Sequence, residues 1–234
     1  MLSNGVGSTM LVPKGEGVML EALRKVSLFE GLSDADLDAL NAGVVSRSYP
    51  KNAVIVHEGD RSDTLYLIIS GSVKVYVSDD NDKEFVLNTQ GPGEYFGEMI
   101  LDDGPRSASV MTLEACKMGM LTRERFRGVL LKHPEVAIAV MRNLIRRCRV
   151  LTENAKDLAL LDVYGRLSKL LLSLAKEEDG RLVVTEKLTK QAIGDRIGAS
   201  REMVSRIFKD LTAGGYIRTE GGKLVIHRKP PANW

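Results

Sequence analysis

The sequence is short of the side chains that bind metals and cross-link chains. Among its 234 residues only Cys116 and Cys148 are cysteines, and only His57, His133 and His227 are histidines. Two distant thiols build neither a disulfide framework nor a thiolate metal site, which fits a reducing compartment. Scattered histidines argue against a zinc enzyme and against a metal-dependent cupin barrel, since both need clustered ligands. No metal is expected. There is also no run of about 18 apolar residues to span a bilayer, and the N-terminal segment, with Pro13, Lys14 and Glu16, lacks the apolar core of a secretory signal. A cytoplasmic protein without a membrane partner is therefore expected. A large excess of one sign of charge is lacking too. The net charge is +2 and its basic excess lies from residue 151 onward, where 15 Lys and Arg face 11 Asp and Glu. That sign suits a nucleic-acid partner but does not identify one.

What the sequence does contain is most concentrated in Phe96-Gly97-Glu98-Met99-Ile100-Leu101-Asp102-Asp103-Gly104-Pro105-Arg106-Ser107-Ala108. One carboxylate and one guanidinium stand at the two ends of a glycine-punctuated loop. Glu98 can accept hydrogen bonds from a sugar hydroxyl, and the planar fork of Arg106 matches a phosphate bidentately. Neighbouring backbone N–H groups complete an anion site, so a ribose next to a phosphate satisfies both ends. The alternative is that Glu98 and Arg106 pair with each other across a tight turn.

The surrounding pattern reads as an α+β chain. Residues 1–25 are expected to form an N-terminal arm, loose over residues 1–15 and with order beginning near Val18; Ser33 then caps a short helix carrying Leu37 and Leu40. From about Ser46 to Leu121, short β-branched and aromatic runs such as Val54-Ile55-Val56, Leu65–Ile69, Val73–Val77, Phe85-Val86-Leu87 and Ala108-Ser109-Val110 alternate with turn signals. That spacing predicts an antiparallel β-roll within a domain at 26–133, with the Gly97–Ala108 loop between strands near one end. Thr122 caps a helix, and Pro134 starts a much longer one within a segment at 134–161. Along it Ala137, Met141, Leu144, Cys148, Leu151, Ala155 and Leu158 recur at alternating intervals of four and three. This is a heptad seam, expected to join two copies of the chain, while a second row, Ile138, Val140 and Ile145, is available to pack on the chain's own barrel.

The segment 162–234 is rich in helix and closes on a hairpin. Val163 to Lys176 predicts an amphipathic helix, Leu182-Val183-Val184 a strand, and Tyr216-Ile217-Arg218, Gly221-Gly222 and Leu224-Val225-Ile226 a wing. Between them Thr189 to Leu211 has helix-turn-helix grammar. Ala192 is small where two helices cross, Gly198 supplies the turn, and Ser200 caps the second helix, whose buried side is Ile197, Val204, Ile207 and Leu211. Arg201, Glu202, Ser205 and Arg206 remain on its outer face. Arginine suits the O6 and N7 of guanine and glutamate the amino group of cytosine. The alternative is a helical hairpin whose charges are simply solvated.

Three motifs in this order, Gly97-Glu98 with Arg106-Ser107-Ala108, Leu158-Ala159-Leu160-Leu161-Asp162-Val163-Tyr164-Gly165-Arg166, and Ser200-Arg201-Glu202 with Arg206, resemble the CRP/FNR family of bacterial transcription regulators, in particular its cyclic-AMP-receptor branch. The resemblance covers about residues 26 to 227. It implies an N-terminal cyclic-nucleotide-binding β-roll, a long dimerisation helix and a C-terminal winged helix-turn-helix. It implies that Glu98 holds the ribose 2′-hydroxyl, that Arg106 and Ser107 hold the cyclic phosphate, and that Gly97, Met99 and Ala108 complete that site. Arg201, Glu202 and Arg206 would read a TGTGA-like half-site, with Lys190, Ser200, Ser205 and Lys209 beside them. The partners implied are palindromic double-stranded DNA bound by a homodimer through Met141, Leu144, Cys148, Leu151, Ala155 and Leu158, and RNA polymerase.

Departures from the family pattern concern the ligand. Where the cyclic-AMP branch recognises adenine with two hydroxyl residues on the long helix, one from each subunit, this sequence has Leu151 and Thr152. Loss of one such contact weakens base discrimination by roughly 1 kcal/mol or more. Cyclic AMP is the expected effector. Cyclic di-GMP is the alternative, with Arg146, Arg147 and Arg149 as nearby cations, and a ligand-independent DNA-binding regulator is a third reading. The segment Lys176 to Arg181 is shorter than the family's polymerase-contacting loop. The cysteine cluster of the iron–sulfur branch is absent, there is no haem-ligand signature, and no nucleophile–base pair points to catalysis.

Overall fold

In the computed structural model, which describes residues 16–230 apart from Ser62, Asp179 and Lys187, short polar side chains set the helix starts. Helix α1, Glu16–Arg24, lies within the stretch expected to be an arm, and its Met19 and Leu23 are buried; residues 1–15 lie outside the described residues. Ser33 caps α2, Asp34–Asn41, by accepting from the Asp36 N–H. Eight strands follow: β1 Val45–Tyr49, β2 Val54–Val56, β3 Thr64–Ser70, β4 Val73–Ser78, β5 Glu84–Gln90, β6 Tyr95–Phe96, β7 Ser109–Thr112 and β8 Cys116–Thr122. They form two four-stranded sheets in the orders β1-β8-β3-β6 and β2-β7-β4-β5, as expected of a roll.

Strand β3 explains why the run Leu65–Ile69 is continuously apolar. Leu65 and Leu67 face a core shared with the helices, while Tyr66 and Ile68 face a second core with Val73, Phe96, Val110 and Met118. A strand buried on both faces shows no alternation. Thr122 then caps α3, Arg123–Lys132, and α4 runs from Pro134 to Leu160. The row that packs α4 onto the helix-lined core is Val136 and Val140, each of which stabilises by about 1.5–3 kcal/mol when fully buried. The expected row is corrected at two of its three positions. Val140 is buried, but Ile138 and Ile145 are 44% and 54% exposed, because packing takes one turn of α4 only.

Asp162 caps α5, Val163–Leu174, which stops two residues short of the expected end because Ala175–Glu178 pairs as strand β9 with β10, Arg181–Val184. Then come α6 Lys190–Ile197, α7 Arg201–Ala213, β11 Ile217–Glu220 and β12 Lys223–Ile226. The third sheet has the order β11-β12-β10-β9, and its apolar face covers a core of Leu167, Leu171, Ile193, Ile197, Val204, Ile207 and Leu211. The chain divides into two compact units. One holds the residues up to Val75 with Thr89–Arg142, the other Tyr76–Asn88 with the residues from Asn143 onward.

A small residue not singled out from sequence sits tightest where α6 meets the turn into α7. Ala192 is half-buried, whereas Gly194 is buried and a Cβ there would stand 2.5 Å from the carbonyl oxygen of Ala199. Gly194→Ala should therefore push α6 away from the turn that leads into α7, and we expect it to destabilise this unit by about 1–3 kcal/mol despite the better helix propensity of alanine. Thermal unfolding followed by circular dichroism checks this; an unchanged midpoint would contradict the crowding.

Candidate functional site

Two constellations stand out, one in each unit. The first is built around Gly97, whose φ of 90° is left-handed and which starts the 3₁₀ turn Glu98–Leu101. A Cβ at Gly97 would come within 2.8 Å of the Thr64 carbonyl oxygen and 2.9 Å of Arg106 Nη1, so backbone and space both require glycine. The reason is the guanidinium of Arg106. Its Nη1 donates to the Gly97 carbonyl at 2.8 Å and its Nη2 to the Thr64 carbonyl at 2.6 Å.

Arg106 and Glu98 are brought together and are nearly inaccessible, at 5% and 9% exposure. Burial lowers the Arg106 pKa, opposed by the charges of Tyr66, Glu98 and Asp63. The Arg106 main chain is fixed as well, because its N–H donates to the Asp60 carbonyl and its carbonyl accepts from the Gly59 N–H, both at 2.8 Å. Tyr66 stacks on Phe96 with ring centres 4.8 Å apart. Met99 is half-buried, Ala108 is buried and Ser107 is exposed beside them. The arrangement can hold an anion against a pre-positioned, partly desolvated cation, with a carboxylate alongside to accept from hydroxyl groups.

Sequence reading missed the clasp that closes this loop. Arg123, at the start of α3, donates from Nε to Asp63 at 2.9 Å and from Nη1 to Asp103 at 2.7 Å. Asp63 precedes the Thr64 that receives Arg106, and Asp103 lies in the loop that ends at Arg106. The hydrogen bond to Asp103 is the largest of the effects that raise the Arg123 pKa. Positions 63, 103 and 123 share no spacing or period, so only the folded chain shows their convergence.

In the other unit, Leu151 is 48% exposed on α4, and the Thr152 hydroxyl donates back to the Cys148 carbonyl at 2.9 Å. The seam is open to solvent in the single chain: Met141, Leu144 and Leu158 are 54%, 36% and 44% exposed, and Cys148 and Ala155 are exposed too. Ala137, at its start, is half-buried.

The helix pair α6–α7 is the second constellation. Thr189 caps α6 by accepting from the Ala192 N–H at 3.0 Å, Gly198 ends α6 in the left-handed region, and Ser200 caps α7 by accepting from the Met203 N–H at 3.2 Å. Val204, Ile207 and Leu211 anchor α7 in the core. Arg201, Glu202, Arg206 and Lys209 are left exposed on its outer side, with Ser205 half-buried between them. Lys190 does not join this face: its ammonium lies over the Phe208 ring and is partly buried. No helix of the described residues is long and apolar enough to cross a membrane.

Comparison with known proteins matches these two constellations to two domain families. The cyclic nucleotide-binding domain matches residues 46–133 and the Crp-like helix-turn-helix domain residues 165–230. The CRP-like cAMP-activated global transcriptional regulator of Mycobacterium tuberculosis strain H37Rv is 35% identical over 213 residues, covering 89% of this chain and 95% of its own. The cAMP-activated global transcriptional regulator CRP of Salmonella typhimurium is 34% identical over 184 residues, covering 76% and 88%. Among solved structures, the c-di-GMP responsive global regulator CLP of Xanthomonas campestris is similar at a TM-score of 0.70 and 30% identity, covering 80% of this chain and 95% of its own.

Arg123→Gln should untie the loop without unfolding the roll, because its carboxylate partners are exposed and such pairs contribute little to global stability. We expect faster amide hydrogen exchange at Asp102, Asp103, Gly104 and Arg106 with a nearly unchanged melting midpoint. Exchange as slow as in the parent chain would show that the clasp does not hold the loop.

Proposed function

The chain belongs to the CRP/FNR family of bacterial transcription regulators, and from that premise we propose that it is a homodimeric DNA-binding regulator whose effector is cyclic AMP. The observation that carries this reading is the buried Arg106, held open by two carbonyls beside Glu98. A partly desolvated cation with a neighbouring acceptor is suited to a cyclic phosphate and the ribose hydroxyl next to it. Gly97, Met99, Ser107 and Ala108 line that site, and Leu151 and Thr152 meet the base. Residues 26–133 act as the sensory roll, 134–161 as the pairing helix and hinge, and 162–234 as the DNA reader. The curated relatives are named as transcription regulators, not as enzymes.

Two copies pair along Met141, Leu144, Cys148, Leu151, Ala155 and Leu158, which removes from water the stripe that a single chain leaves exposed. Arg201, Glu202 and Arg206 then read base edges in the two half-sites of a TGTGA-like palindrome, with Ser200, Ser205 and Lys209 at the backbone. RNA polymerase is the onward partner. Nucleotide favours one arrangement of the paired helices, so operator DNA must in turn tighten nucleotide binding by the same factor.

Cyclic di-GMP is the second reading. It is favoured by Leu151, which has no hydroxyl for adenine, by the exposed Arg146 and Arg149, and by the likeness to a c-di-GMP responsive regulator. Calorimetric titration with cyclic AMP, cyclic GMP and cyclic di-GMP, followed by gel shift on a TGTGA palindrome, separates the readings. Cyclic AMP should bind most tightly and raise operator affinity. Arg106→Leu should weaken its binding by roughly 1.5–3 kcal/mol, about ten- to a hundredfold, and abolish the gain on DNA. Operator binding that is indifferent to every nucleotide and to Arg106→Leu would instead identify a ligand-independent regulator.

A further inference from the structure

Ile138 and Ile145 are apolar residues of α4 that neither the chain's own core nor the heptad seam covers, and both are exposed. Heptad lettering fixes the side of the rod they occupy. With Met141, Cys148 and Ala155 at position a and Leu144, Leu151 and Leu158 at position d, the two isoleucines both fall at e, while Val136 falls at c and Val140 at g. Positions e and g flank a seam on opposite sides. Val136 and Val140 are buried in the core that joins α4 to its own roll, so that roll sits on the g side and leaves the e side uncovered. Solvent is a poor neighbour for this row. The outer row of the same turns, Arg142, Arg146 and Arg149, is exposed and charged throughout, as a solvated helix face is.

We propose that Ile138 and Ile145 seat the roll of a second copy of this chain, so that each roll rests on its own helix at Val136 and Val140 and on its partner's helix at the two isoleucines. This rests on the homodimer reading and adds a helix-on-roll contact to the helix-on-helix seam. The register supports it. In a parallel two-fold pair the e side of one helix lies beside the g side of the other. Val140 of one copy then stands next to Ile145 of the partner subunit, which comes under the edge of the roll that Val140 anchors. The apolar surface is continuous, because Met141 lies three residues after Ile138 and four before Ile145, so the isoleucines widen the seam without a gap. The extra area is also needed. Ala137, Cys148 and Ala155 are small, so the seam alone buries less than a leucine seam of the same length, whereas a standard interface removes roughly 800 Å² from each partner. The roll has apolar surface to return: Leu101, which follows Ile100 of the core that takes Val140, is exposed.

Photo-crosslinking of the full chain tests this. Light and isotope-labelled copies are mixed so that a cross-link between copies carries both labels, and the products are mapped by mass spectrometry. Ile145 is exposed in the single chain, so Ile145→p-benzoylphenylalanine leaves the fold of each copy intact. We expect it to capture the partner's roll, within residues 16–133, while Leu144→p-benzoylphenylalanine captures the partner's α4. Capture of the partner's α4 alone from position 145, capture only within its own chain, or no product there while position 144 reacts across the pair would overturn the proposal and leave the homodimer standing. A parent chain that sediments as a monomer would overturn the homodimer reading, and the proposal with it. Ile145→Glu should weaken the dimer about tenfold or more in sedimentation, since it sets a charge in an apolar contact; an unchanged dissociation constant would also refute the contact.

Discussion

The sensory unit is organised around one interaction, the grip of two main-chain carbonyls on the guanidinium of Arg106. To present those carbonyls, the chain must turn at Gly97 into the left-handed region and bring the start of β3 alongside. To keep the arginine in place, the Gly59–Asp60 turn pairs with its main chain, and Arg123 ties the preceding loop to Asp63. Each support lies on a different element of the roll. A buried cation is tolerated because both of its terminal nitrogens donate to backbone, which cannot move away as a side chain can.

Much of this architecture was legible before the fold was known. Strand runs, turn signals and cap residues are local, so Ser33, Thr122 and Ser200 could be placed from sequence, and each accepts from a first-turn N–H. The ends of the site, Glu98 and Arg106, stand eight residues apart and were readable for the same reason. What was not readable depends on which surfaces meet. The need for glycine at 194 is one case, because the decisive neighbour is a carbonyl in the following turn. Ile138 and Ile145 share a spacing with Val140, yet packing ends after the first turn of α4. Lys190 belongs by sequence to a DNA-facing set, but an aromatic ring one helix away gives its stem and amine a better-packed position than open solvent does.

Helix α4 carries two functions on different stretches of one rod. Its first turns are committed to the roll through Val136 and Val140, while its later turns expose an apolar stripe to solvent. Exposed apolar residues at heptad spacing are a directional feature, since they cannot all be covered by a loop or by scattered contacts. The same turns carry Leu151 and Thr152, so a group bound there would bear directly on whatever covers the stripe.

The left-handed turn at Gly97 also separates what this protein can change from what it cannot. Every replacement for glycine brings a Cβ, and at this position the first atom added already strikes a carbonyl and the arginine. Variation there has no gradual route, and the grip on Arg106 is kept or lost whole. Leu151, half-exposed in the single chain, meets no such backbone obstacle, and only what covers its helix limits its replacement. On the function proposed above, a lineage carrying this fold can therefore wander among effectors by altering the helix assigned to the base, while the half assigned to the phosphate stands still.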